Sequence, residues 1–267
     1  MTIIILNLYI TRSTHQKNLP KFVQMDINLL LAVSLFIVGF LYSSVGHGGA
    51  SGYLAVLSLF SIPVVQYKPL ILVLNILVAG LGFIQFKRAG HFKWNLCWPF
   101  LITSLPMAFI GSKIAVKDDI YNLLLGIALI IPVIRLLGFS PAAKFEKKNL
   151  SIPLALLFGV IIGFLSGMLS IGGGIFLSPL LMLLAWANAK EAAAASALFI
   201  VLNSASGLLG HTGEISLDTG AAIWFFAALA GGIAGSYFGS RHFAMNTVKY
   251  VLTAVLAIAS CKLIFFM

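Results

Sequence analysis

Charge is what this sequence has least of. Only 9% of its 267 residues are charged, seven of them acidic, whereas 60% are apolar and the mean hydropathy is +1.06. An ordinary soluble domain sets about 25% charge against 45–50% apolar residues, so a soluble fold of this size would lack its polar shell. Cysteine is almost absent too. Cys97 and Cys261 stand singly inside apolar runs, with no CxxC and no Cys/His cluster. They indicate neither a disulfide framework nor a metal site, and predict two small core hydrophobes. No HExxH, GxSxG or Walker loop occurs, and all seven acids fall at segment edges or in loops. Enzymatic chemistry therefore finds no motif and no cofactor is implied. A carboxylate-based proton pump or sodium carrier lacks its carboxylates. The net charge of +10 does not argue for nucleic acid, because the basic residues separate apolar runs. That is the loop pattern of a polytopic membrane protein.

What is present is a series of apolar stretches, at about 27–45, 53–65, 69–86, 94–112, 119–138, 152–171, 175–187, 191–210, 219–239 and 247–267. A spanning helix needs ~20 residues to cross ~30 Å of hydrocarbon. Segments 53–65 and 175–187 fall short, and each follows a glycine cluster, which predicts discontinuous or re-entrant helices. Residues 1–24 fit poorly with the rest. Their short apolar run precedes its basic residues, the reverse of a signal peptide, and Met25 is read as the real start with the leader dispensable.

The chain also repeats itself. Gly39-Phe40-Leu41 recurs as Gly163-Phe164-Leu165 and Gly48-Gly49 as Gly172-Gly173, both at an offset of 124. Val73-Leu74-Asn75 recurs as Val201-Leu202-Asn203 at an offset of 128, and Gly82 then falls on Gly210. Gly111-Ser112 matches Gly235-Ser236, and Arg135 matches Lys262. The expected organisation is a first membrane repeat at 25–138, a basic linker at 139–150 and a second repeat at 151–267. Loop charge predicts that the repeats are inverted. Lys87, Arg88 and Lys93 follow the third segment without an acid, whereas Glu214 and Asp218 occupy the matching loop without a Lys or Arg. The next loop reverses the sense: Lys113 and Lys117 are balanced by Asp118 and Asp119, against unopposed Arg241 and Lys249. Basic residues collect on the cytoplasmic side, which also takes the linker, with Lys144, Lys147 and Lys148. Arg12, Lys17 and Lys21 oppose this assignment unless Met25 is the start, and a parallel repeat is the alternative.

Two motifs carry the chemistry. The breaks Gly46-His47-Gly48-Gly49-Ala50-Ser51-Gly52 and Gly172-Gly173-Gly174 free the backbone inside a membrane, where unpaired amides need protein or a polar cavity. A helix restarting after each break aims its N-terminal amides, partly positive, at whatever lies there. Two such ends at the membrane centre predict an anion site. Asn75 and Asn203, amides within spans, predict hydrogen bonds to a neighbouring helix or to a ligand. Ser43, Ser44, Ser166 and Ser170 could donate to an anion, although serine more often bonds back to its own helix. His47 could shuttle a proton or donate to the anion, with loop support an equal alternative. His211 reads as a solvated loop residue, and Arg135 and Lys262 as snorkelling side chains near span ends. Gly231, Gly235 and Gly239 form a small-xxx-small ladder that helix packing explains.

The run Gly163-Phe164-Leu165-Ser166-Gly167-Met168-Leu169-Ser170-Ile171-Gly172-Gly173-Gly174, followed by Phe176-Leu177-Ser178-Pro179, resembles the signature of the TauE/SafE sulfite exporter family. Residues 192–210, with Ser196-Ala197-Leu198 and Leu202-Asn203-Ser204, are similar to it as well. The likeness covers nearly everything from Met25 onward, and the first break departs from the triple glycine. The resemblance implies a duplicated secondary transporter of small sulfur-containing or organic anions, such as sulfite or sulfoacetate. The expectation is therefore an all-α polytopic protein of the cell (inner) membrane, exporting a small anion by alternating access. Its substrate-binding residues would be His47, Gly48, Gly49, Gly172, Gly173, Asn75, Asn203, Ser44 and Ser170. Its partners would be the anion and the bilayer, with no nucleic acid and with proton coupling left open. A passive anion channel is the alternative.

Overall fold

A computed structural model describes residues 21–138 except 61, 63 and 115, then 148–211, 219–241 and the single positions 257, 260, 261 and 264. Among the described residues there are nine α-helices and no strand: α1 (Lys21–Ser44), α2 (Ala50–Leu59), α3 (Val64–Arg88), α4 (Trp98–Ser112), α5 (Asp118–Gly138), α6 (Ile152–Leu169), α7 (Gly174–Leu183), α8 (Ala189–Gly210) and α9 (Thr219–Arg241). Five stretches, Asp26–Ser44, Gln66–Arg88, Ile152–Leu169, Ala189–Gly210 and Gly220–Gly239, are long and apolar enough to cross a bilayer. Large apolar side chains face outward along them and along α5; Leu209 is 81% exposed and Ile134 and Phe226 are 66% exposed. In water such a surface would aggregate. Against hydrocarbon it is the expected exterior. The protein is a multi-pass membrane protein.

Local sequence sets the helix starts. Proline stands in the first turn of α4 and of α6, where its missing N–H has no partner to lose. Asn188 and Glu191 form a reciprocal capping box at α8. The expected span at 94–112 is corrected. Lys93 is extended, Trp94–Leu96 forms a 3-10 turn, and α4 keeps only 15 residues, about 22 Å at 1.5 Å per residue. The two short helices occur as expected, α2 and α7 having 10 residues each and starting directly at the glycine breaks.

The long helices pack in crossed pairs, α1 with α9, α4 with α6 and α3 with α8. Glycine allows the first two to touch backbone to backbone. A Cβ on Gly231, Gly235 or Gly239 would strike Phe36, Phe40 or Ser44 in turn, so α1 and α9 run parallel and the ladder is a packing seam. On α6, Gly159, Gly163 and Gly167 meet Phe100, Ser104 and Ala108 of α4 in the same sense. Individual contacts occur twice, displaced by 124 residues. Gly39 lies against Ala228 and Gly163 against Ser104, while Gly235 lies against Phe40 and Gly111 against Phe164. The helices α3 and α8 run antiparallel, since Leu72, Asn75 and Gly80 face Gly207, Ser204 and Val201.

Cys97 is buried, its thiol 3.7 Å from the Ala195 carbonyl, but Cys261 is exposed and so corrects its reading as a core residue. Residues 1–20 of the leader, 139–147 of the linker, and Glu214, Asp218, Lys249 and Lys262 lie outside the described residues.

Candidate functional site

The two breaks have matched backbones. Gly46 and Ser170, 124 residues apart, are both left-handed, with φ of 80° and 57°. Gly49 and Gly173, also 124 apart, are the left-handed N-caps of α2 and α7, with φ of 97° and 76°. A side chain there would be strained by about 1–2 kcal/mol before any clash. Neither cap supplies a side-chain hydrogen bond, so the caps leave the first amides of each helix unsatisfied.

Asn75 is where the breaks converge. It is fully buried in the middle of α3. Its Oδ1 accepts from the Ala50 amide at the start of α2, at 3.3 Å. Its Nδ2 donates to Ser204 Oγ on α8, at 2.9 Å. A Cβ on Gly48 would fall 2.8 Å from Asn75 Cγ, and one on Gly172 would strike Asn75 Nδ2 and approach Ser204 Oγ to 2.8 Å. Both glycines are thus required by close approach to one amide. The helix α8 lines both breaks as well: Gly46 packs on Ala193, Gly173 on Phe199 and Gly174 on Ile200.

The other expected site residues are placed as follows. Asn203 is buried and donates Nδ2 to its own Phe199 carbonyl at 3.0 Å, while its Oδ1 meets no partner. The half-buried His47 ring adjoins the Val45 and Gly174 backbones, and its Nδ1 is also unpartnered. Ser44 bonds back to Leu41 at 2.7 Å, while Ser170 is the left-handed C-cap of α6. Ser43 and Ser166, expected to bond back along their helices, are instead buried with unpartnered hydroxyls. Ser166 stands 3.2 Å from where Gly173 would carry a Cβ.

Sequence reading missed Lys68 and Tyr121. Lys68 lies before the apolar run, where a charge reads as a loop residue, yet α3 begins at Val64 and leaves Lys68 5% exposed. Its Nζ sits 3.7 Å over the Tyr121 ring, and the Tyr121 hydroxyl donates to the Leu169 carbonyl at the edge of the second break, at 2.8 Å. No spacing signals this contact. His211 is partly buried as the C-cap of α8, which corrects its reading as solvated. Burial first, and then the Lys68 charge, hold it below the usual imidazole value. At the opposite end of α8, Glu191 is buried and paired with Lys93.

A helical membrane protein with paired glycine breaks around a buried polar centre has the architecture of a transporter. Residues 31–263 match the family model described as Sulfite exporter TauE/SafE. The chain belongs to the TauE/SafE family. Among its relatives, the probable membrane transporter protein y4hK of Sinorhizobium fredii is 31% identical over 239 residues, covering 88% of this chain and 97% of its own length. The probable membrane transporter protein YunE of Bacillus subtilis is 25% identical over 225 residues, covering 73% of this chain and 78% of its own length. YdhB, a probable membrane transporter protein of the same species, is 26% identical over 255 residues, covering 89% of this chain and all of its own length. No solved structure matches the chain. This TauE/SafE member is a membrane transporter, so the breaks and Asn75 lie inside a machine that moves a small molecule across the bilayer.

Proposed function

We propose that the chain is a secondary transporter that exports a small sulfur-containing or organic anion, such as sulfite or sulfoacetate, by alternating access around the glycine breaks. One observation carries the reading. The two breaks, one from each copy of the repeated sequence, meet at a single buried amide, Asn75, which accepts from the first amide of α2 and packs against Gly172 just ahead of α7. Each helix end contributes about half a positive charge, so two of them favour an anion in a medium where a free Lys or Arg is unfavourable.

The halves are taken as inverted repeats of 25–138 and 151–267, joined by the linker at 139–150. In favour of this, the contacts of Gly39 and Gly163, and of Gly235 and Gly111, are reciprocal under a 124-residue exchange. The corresponding helices α3 and α8 also run antiparallel. A two-fold axis along the membrane normal would leave corresponding spans parallel; an axis in the membrane plane reverses them. Rocking one half against the other would then expose the breaks to each side alternately.

The test is uptake of labelled sulfite, sulfoacetate and sulfate into proteoliposomes holding the full chain. Saturable flux of one anion is expected, accelerated by unlabelled anion on the opposite side and lost in Gly173→Leu. Flux without such counterflow would favour a passive anion channel. No flux of any anion in correctly folded protein would overturn the anion reading.

A further inference from the structure

We infer that the transported anion carries a hydrogen-bond donor, an O–H beside its charged oxygens, and that Asn203 Oδ1 is the group that accepts it. The inference rests on the anion reading above and narrows the substrate class of that same site.

The two asparagines, alike in sequence, differ in what they hold. Both ends of Asn75 are occupied by protein, Oδ1 by the Ala50 amide and Nδ2 by Ser204 Oγ. Asn203 is only 1% exposed and has one end occupied. Its Nδ2 donates to the Phe199 carbonyl, which can only accept, so the orientation of the amide is fixed and the other end must be the oxygen. That oxygen is buried and partnerless.

The neighbours of Asn203 place it at the second break. Asn203 stands one turn beyond Phe199, whose ring edge lies 2.8 Å from where Gly173 would carry a Cβ, and next to Ser204, which lies equally close to Gly172. Ser166 Oγ and His47 Nδ1, also unpartnered, belong to the same neighbourhood, the first beside Gly173 and the second beside the Gly174 backbone. Helix amides and hydroxyls can meet anionic oxygens. A carboxamide oxygen cannot, because it has no proton to offer. It would face a fully deprotonated anion oxygen to oxygen, and a buried acceptor left unsatisfied is unfavourable. A hydroxyl or a retained proton on the substrate satisfies it. Sites built to bond a substrate hydroxyl reject the isostere that lacks it.

Two monoanions of nearly equal size separate the cases: hydroxymethanesulfonate, which carries an O–H, and ethanesulfonate, which has a methyl group in its place. Each is titrated calorimetrically against the purified full chain at one pH, with Asn203→Leu alongside. Hydroxymethanesulfonate should bind about tenfold tighter or better to the wild type, and the gap should close in Asn203→Leu. Equal affinities in the wild type, a comparison that needs no variant, would overturn the inference and leave the anion reading standing. A gap that persists in folded Asn203→Leu would overturn the assignment to Asn203. Binding of neither sulfonate, together with absent flux of every anion, would overturn the anion reading and this inference with it.

Discussion

The contact between Asn75 and Ser204 joins the two copies at their centre, and a double-mutant cycle can weigh it. Both side chains are fully buried. Ser204→Ala removes one hydrogen bond and leaves the buried Asn75 Nδ2 without its acceptor, a loss of about 1–3 kcal/mol. Asn75→Ala removes the same bond and also leaves the buried Ala50 amide without its acceptor, and an orphaned group of that kind adds about 1–3 kcal/mol. The expected losses are therefore about 1–3 kcal/mol for Ser204→Ala and about 2–4 kcal/mol for Asn75→Ala. In the double variant the shared bond is counted once. The total should fall short of the sum by about 0.6–1.7 kcal/mol, the span of interhelical hydrogen bonds measured in membranes. The assay is reversible unfolding in mixed micelles, following helix content as denaturing detergent is raised. Additivity within about 0.3–0.5 kcal/mol would mean that the two residues do not interact, and the convergence of the breaks on Asn75 would lose its energetic basis.

Three further outcomes follow from the same geometry. Gly48→Ala drives a methyl group onto the Asn75 amide; it should destabilise the wild type by about 1–3 kcal/mol and do so much less when Asn75 is already alanine, in the same unfolding assay. Gly235→Leu forces α9 off the Phe40 backbone and should lower the unfolding midpoint and the yield of monodisperse protein, whereas Gly82→Leu, where a Cβ meets nothing within 4 Å, should leave both near wild type. Because His211 titrates below its ordinary value in the folded protein, the unfolded state binds the extra proton as pH falls. Stability should then decline below about pH 6.5, and His211→Gln should flatten that slope while leaving stability above it unchanged.

What could be read from the sequence was whatever depends on backbone and composition. The two short helices and the two breaks follow from apolar length and glycine placement, both one-dimensional properties; nine of the ten expected stretches are helices, and the tenth, 247–267, lies almost wholly outside the described residues. The start of α4 was misjudged because hydropathy does not register Pro99 in a first turn, which shifts the helix to Trp98 and leaves 94–96 as a 3-10 turn. Pairing partners were out of reach. Nothing in the spacing says that Gly235 packs on Phe40 while its match Gly111 packs on Phe164, because those contacts cross between copies. The site was half legible. The matched asparagines are both buried, on α3 and α8, but their equivalence in sequence suggested equal roles, and only the side-chain partners separate them. Lys68 was invisible for a related reason: its environment is the face of Tyr121, a residue 53 positions away.

The inequality of the asparagines bears on the transport cycle proposed above, in which one half rocks against the other. In a strictly symmetric pair each amide would hold the helix that follows its own break. Asn75 does this for α2 through Ala50, but Asn203 turns to its own helix and leaves Gly174 without the corresponding bond. The first break is therefore bonded to α3 through Ala50 and packed on it through Gly48, both at Asn75, which is itself bonded to Ser204 of α8. The second break packs against Phe199, Ile162 and Ser166 and is bonded at its flanks, by Tyr121 to the Leu169 carbonyl and by Ser178 to Ser196, but Asn203 Oδ1 beside it is uncommitted. An uncommitted buried acceptor can take a partner without breaking a bond, whereas Asn75 would have to break two hydrogen bonds at once. On the alternating-access reading proposed above, we expect the uncommitted Asn203 Oδ1, and not the doubly bonded Asn75, to take up the substrate contacts that change during transport.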